Sequence, residues 1–152
     1  MLTDLCVSFG LEMAQLSVET RRKIGELLPP KTFLENPVDM GFYWHPPVFV
    51  EVAKTLLKDP QVDILIMYTL AAAGPVIEIM NFIAQETLQA REPGKIVLFG
   101  TDISSYDLLA DLAEIQRAGM PVYLAPERAI RSLVQKVKYE RIRRRLLSEE
   151  PL

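Results

Sequence analysis

Val62-Asp-Ile-Leu-Ile-Met-Tyr-Thr-Leu70 decides the fold of this chain. The run is almost unbroken apolar sequence rich in β-formers, which is how a strand covered on both faces reads. A strand that alternated in and out of water would show a polar residue at every second position. Working outward, a helical pattern follows over about Pro75–Arg91, with Val76, Ile79, Met80, Ile83 and Ala84 in line. Pro93-Gly94 then turns the chain into Lys95–Phe99, a second buried strand. Ser104 or Ser105 caps a helix burying Leu108, Leu109, Leu112, Ala113 and Ile115, and Gly119 ends it. Pro121–Leu124 reads as a last short strand, and Pro126 suits the first turn of a final helix.

Upstream, a helix from Pro47 to about Lys58 buries Phe49, Val52, Ala53, Leu56 and Leu57 before Asp59-Pro60 closes it. Phe33–Val38 reads as extended. Ser17 is a good N-cap for a helix through Leu28, which Pro29-Pro30 stops. Leu11–Leu16 reads as a short strand. Leu2, Leu5, Cys6 and Phe9 fall at i, i+3, i+4 and i+7, so the chain opens inside a helix, with Gly10 placed to end it.

Strand and helix alternate from Leu11 onward. This predicts an α/β fold of three layers: an open parallel sheet with helices on both faces and right-handed crossovers. One feature departs from the usual plan. A doubly wound domain begins with a strand that becomes central in the sheet, and here the reading begins with the helix that would follow it. The sheet is therefore expected to lack its first central strand. An uncovered strand edge invites pairing, so self-association or partner docking is expected over a lone monomer.

The chain has 152 residues, 49% hydrophobic and 24% charged, enough for one domain with a full core. Residues 1–146 read as that domain and 147–152 as a tail that frays. No apolar run approaches the roughly 20 residues of a membrane span. The opening Met1-Leu-Thr-Asp-Leu-Cys6 has neither a positive n-region nor a cleavage pattern, so a cytoplasmic protein is expected. One cysteine and one histidine exclude an internal disulfide and leave no zinc site of ordinary ligand types. The net charge of −3 is uneven: Lys136, Lys138, Arg141, Arg143, Arg144 and Arg145 against Glu140 give +5 in one segment, leaving −8 elsewhere. Without interleaved aromatics or a nucleic-acid motif, that segment reads as a solvated helix end whose cations complement the macrodipole.

In open parallel sheets, ligands gather beyond the carboxyl ends of the strands, at helix N-termini. Three loops there form an expected phosphate- or ligand-binding rim. The first offers Asn36 and Asp39, the second Ala73 and Gly74, the third Gly100, Thr101, Ser104 and Ser105. No Walker A sequence or dinucleotide fingerprint occurs. His45, within Tyr43-Trp-His-Pro-Pro47, is the one side chain whose ordinary pKa lies near neutrality, but two prolines and Trp44 favour a structural role. Cys6 lies on the apolar face of the opening helix, and no catalytic residue is assigned.

Six stretches carry a family resemblance. They are Gly10-Leu-Glu-Met-Ala-Gln-Leu-Ser17 with Glu19-Thr20, Leu27-Leu-Pro-Pro30, Asn36-Pro-Val-Asp39, Lys58-Asp-Pro-Gln-Val-Asp-Ile-Leu65, Ala118-Gly-Met-Pro-Val-Tyr123 and Pro126-Glu-Arg-Ala129. In this order they resemble the C-terminal flavodoxin-like, succinyl-CoA-ligase-type domain of NDP-forming (ADP-forming) acyl-CoA synthetases. The resemblance implies a ligase assembly that interconverts acid, CoA and nucleoside triphosphate with acyl-CoA, NDP and phosphate through a phosphorylated histidine. That histidine belongs to another domain, and His45 does not match its Ser-His-Thr-Gly surroundings. ATP-grasp and CoA-binding domains or subunits are the implied partners, and CoA and ATP or ADP belong to the assembly rather than to this chain. The family domain also opens with a strand and a Gly-Gly turn that have no counterpart before Leu2. The alternative reading is a non-catalytic module that binds CoA, a nucleotide or another anion in a regulatory role.

Overall fold

The structure is a computed structural model that describes residues 2–41, 45–71, 74–103 and 109–148. The elements, in chain order, are α1 (Leu2–Ser8), α2 (Val18–Leu27), α3 (Pro46–Leu57), β1 (Ile64–Ala71), α4 (Gly74–Gln89), β2 (Ile96–Ile103), α5 (Leu109–Arg117), β3 (Val122–Tyr123) and α6 (Pro126–Ser148). The three strands form one parallel sheet in the order β1-β2-β3. β1 and β2 pair along their whole length, from Ile64 opposite Ile96 to Ala71 opposite Ile103.

Alternation along these two strands separates two cores. Leu65, Met67, Val97 and Phe99 face one way and meet Ala53 and Leu57 of α3, Met80 and Ala84 of α4, and Leu112 and Ile115 of α5. Ile64, Ile66, Ile96 and Leu98 face the other way, onto α6 (Ala129, Ile130, Leu133, Val134) and α1 (Cys6 and its apolar neighbours). Helices thus cover both faces, as the run at 62–70 requires. α2 and its C-cap residue complete the molecule by burying Ile24 and Leu28 against Val52 of α3.

The helix ends follow local chemistry. The Ser17 hydroxyl accepts from Thr20 N–H at 3.1 Å and caps α2. Gly10, with φ +79°, lets the chain leave α1, and Leu11 N–H returns to Cys6 C=O at 2.9 Å. α6 is longer than its buried part. Its inward residues end near Val134, while Tyr139, Ile142, Leu146 and Leu147 are exposed and the helix runs to Ser148.

Two expected strands are not formed. Leu11–Leu16 belongs to no sheet, and Phe33–Val38 is reduced to a single antiparallel bridge between Phe33 and Asp39. Among the described residues β1 pairs with β2 alone, and Leu11–Leu16 forms no ladder with it. In the second segment Pro37 lacks the N–H a ladder needs.

Candidate functional site

Asp59 lies in the turn between α3 and β1 and is 2% exposed. One carboxylate oxygen accepts Ser17 N–H and the other accepts Gln61 N–H, each at 2.9 Å. Burial pushes its pKa upward. The hydrogen bonds from the Gln61 and Ser17 amides and the Thr20 and Ser17 hydroxyls outweigh that and hold it below the ordinary carboxylate value. Lys95, just ahead of β2, donates its Nζ to Leu57 C=O and, at 2.8 Å, to Asp59 C=O. It thereby satisfies carbonyls left over at the end of α3. This knot fixes the start of α2, the end of α3 and the entries of β1 and β2. In sequence Asp59-Pro60 reads as a helix stop and Lys58–Leu65 as one of the stretches that carry the family resemblance; an aspartate after an apolar helix and before proline is the available signal, but its partner Ser17 is 42 residues away.

Beside the knot lies a cleft of about 770 Å³. Gly10–Leu16 form one wall and Gln61–Ile66 the other, with Leu2 and Cys6 of α1, Leu133 and Val137 of α6, and Leu56 and Val38 closing it. Asn36 sits in this lining. Its Nδ2 donates to Ala14 C=O at 3.1 Å, so it braces the Leu11–Leu16 wall. Asp39 is exposed and bonds within its own loop, with Oδ1 accepting Gly41 N–H at 2.8 Å.

The remaining rim residues occupy a different place. Gly74 opens α4 just beyond the carboxyl end of β1, and the first-turn N–H groups of a helix have no partner within the helix itself. Gly100 and Thr101 lie in the carboxyl half of β2, opposite Tyr68 and Thr69. Thr101 is fully buried, and a Cβ on Gly100 would stand 2.8 Å from Tyr68 Cδ2, so that glycine makes room for the ring. Ala73, Ser104 and Ser105 lie outside the described residues, as does Trp44. The fold thus brings Asn36 to the amino-terminal half of β1, with Gln61 and Asp63, and Gly74, Gly100 and Thr101 to the carboxyl side.

His45 is the N-cap position of α3, where its backbone carbonyl accepts Val48 N–H at 2.9 Å while its side chain makes no capping bond. The Cys6 thiol is buried, and burial pushes its pKa up, away from the thiolate a nucleophile needs. Among the described residues no group of three or more His, Cys, Asp or Glu is placed to hold a metal ion, and no helix is long and apolar enough to cross a membrane.

No protein-family model matches the chain. Two curated relatives do. Acetate–CoA ligase [ADP-forming] II subunit alpha of Pyrococcus furiosus is 32% identical over 136 residues, which is 85% of this chain and 29% of that protein. Acetate–CoA ligase [ADP-forming] I of Archaeoglobus fulgidus is 26% identical over 143 residues, 93% of this chain and 19% of the relative. This chain is related to one part of the ADP-forming acetate–CoA ligases. The solved structures agree on the architecture. A crystal structure from Pyrococcus horikoshii OT3 superposes with a TM-score of 0.76 at 26% identity, over 90% of this chain and 32% of the other. The dinucleotide-forming acetyl-coenzyme A synthetase 1 of Ca. Korarchaeum cryptofilum, solved with phosphate and ADP, gives 0.78 at 20% identity over 99% and 32%. The ligase-related chain therefore spans under a third of the length of each of these proteins.

Proposed function

We propose that this chain supplies one flavodoxin-like domain to an ADP-forming acyl-CoA ligase and is inactive without the other domains. The assembly would interconvert an acid, CoA and ATP with acyl-CoA, ADP and phosphate, and this domain would support a phosphohistidine carried elsewhere. The observation that carries the reading is the 32% identity to an acetate–CoA ligase subunit across 85% of the chain. The contribution of this chain would be positional. A helix N-terminus at Gly74, beyond a parallel strand, presents N–H groups and the positive end of a dipole to a phosphoryl group. ATP, ADP and CoA would be bound mainly by ATP-grasp and CoA-binding domains or subunits, in the cytoplasm.

The test is reconstitution. The chain is co-expressed with an ATP-grasp and CoA-binding chain from its own host, and ADP formation from acetate, CoA and ATP is measured. Activity and a phosphohistidine mass shift are expected only when both are present. A partner chain that is equally active alone, or that fails to associate, would overturn the reading.

A further inference from the structure

α6 carries two apolar rows, and the domain covers only one of them. In the first half of the helix Ala129, Ile130, Leu133 and Val134 are buried against the sheet and α1. At helical spacing the same line runs on through Val137 to Arg141, Arg144 and Ser148, and those last three are exposed. The inward row therefore ends where α6 leaves the body of the domain.

On the other side of the helix the order is reversed. That line reads Arg128, Ser132, Gln135 and then Tyr139, Ile142, Leu146, polar first and apolar afterwards. Tyr139, Ile142 and Leu146 are 60%, 52% and 59% exposed. Their spacing is i, i+3, i+7, the a-d-a of a heptad, which makes a seam one residue wide and about 10 Å long. The positions that flank such a seam, e and g, are Lys136, Lys138, Arg143 and Arg145, and all four are cations. Lys136 lies 5.3 Å from the centre of the Tyr139 ring, and Lys136 and Arg143 both pair with Glu140 on the outer flank. Lys138 and Arg145 have no ion pair among the described residues.

This pattern of charge selects the occupant. Pairing with α6 of a second copy sets cation against cation at the flanking positions. A lipid surface takes helices with a broad apolar face, whereas a strict a/d stripe is the narrower seam of helix pairing. Nucleic acid would engage the cations and leave Ile142 and Leu146 in water. A helix with apolar a and d positions and acidic e and g positions satisfies the apolar row and both cationic shoulders together. We propose that residues 136–146 of α6 are a docking surface for one acidic amphipathic helix of that pattern, whichever polypeptide carries it. The surface is defined by α6 alone and does not depend on the ligase reading.

The probe is a synthetic peptide of about three heptads with Leu at a and d and Glu at e and g. Its binding to the full chain is measured by titration calorimetry at about 0.15 M salt, where surface charges are screened beyond about 8 Å. A one-to-one complex with Kd below about 100 μM is expected. Ile142→Asp, at an exposed position, should weaken it at least about tenfold while leaving the thermal melt unchanged. Lys138→Glu with Arg145→Glu should weaken it as much and bring in binding of the same peptide with Lys at e and g. No complex at about 1 mM peptide, affinity unchanged in either variant, or equal binding of a peptide that keeps Glu at e and g but has Ser at a and d overturns the proposal. Tighter binding to phosphatidylserine vesicles than to the peptide overturns it in favour of a lipid surface. A homodimer that Ile142→Asp dissolves overturns it in favour of a second copy.

Discussion

The two edges of β1 are made of the same eight residues and have opposite fates. On the β2 side every position from Ile64 to Ala71 is in register with a partner. On the other side the strand meets a cleft whose far wall, Leu11–Leu16, belongs to no sheet. The difference teaches that a strand-like sequence is necessary but not sufficient for pairing. β2 is brought alongside by α4 and by Lys95, which bonds to Leu57 and Asp59 and sets the entry of β2 beside that of β1. Leu11–Leu16 is instead tied to Cys6, Asn36 and Asp59, at points that keep it away.

The largest test of this contrast is Asp59→Ala. It removes the acceptor of two amides and unties the cleft wall from the β1 turn, with an expected loss of about 3–4 kcal/mol in urea unfolding. A loss below about 1 kcal/mol would mean the knot does not set the two edges apart. The same group gives a pH dependence. Its folded pKa is lowered, so its stabilisation is complete above the unfolded value near about 3.9 and is lost as pH falls from there through the lower folded value. Melting followed from pH 6 to pH 2 should show a drop that Asp59→Ala flattens.

Next in size is a pair of truncations on adjacent residues. Leu65→Ala empties a site in the closed core and should cost about 3 kcal/mol, whereas Ile66→Ala, half-buried beside the cleft, should cost about 1–2 kcal/mol. Equal losses would show that the cleft side is as tightly packed as the other. Gly100→Ala probes the paired edge from β2. The new methyl meets the Tyr68 ring and should cost about 1–2 kcal/mol, and Tyr68→Leu in the same chain should recover part of it. The smallest effect is expected at the α6 surface, where Glu127→Ala removes an exposed ion pair with Arg131. A change within about 0.5 kcal/mol is expected in thermal melts.

Much of the fold was legible because its signals are local. Val62–Leu70 and Lys95–Phe99 announced buried strands, the i, i+3, i+4 patterns announced the helices, and Ser17, Gly10 and Gly119 marked their ends. β2 runs four residues further than read, to Ile103, because its polar Gly-Thr-Asp portion is held by pairing with β1 rather than by apolar character. The candidate site was less legible. Asn36 and Asp39 are polar and loop-borne, which flagged them, yet Asn36 Nδ2 serves Ala14 and Asp39 Oδ1 serves Gly41. Gly100 read as part of a binding turn, and the structure adds a packing reason for it that depends on a ring from another strand. The part Asp59 plays as a tie was not legible because its partners Ser17 and Thr20 come from a helix start far earlier in the chain.

The sequence by itself determined the alternation of elements, the burial of β1 on both faces, the single basic helix end and the relationship to part of the acetate–CoA ligases. Each is written in residue types at short spacing, where the chain's own periodicity and capping chemistry act. Only the tertiary structure decided which edge of β1 is closed, where Leu11–Leu16 comes to rest, and that Asp59 rather than any rim residue holds the entries together. Those outcomes depend on contacts between segments tens of residues apart, and a pairing edge is a property of two strands, which no single stretch of sequence contains.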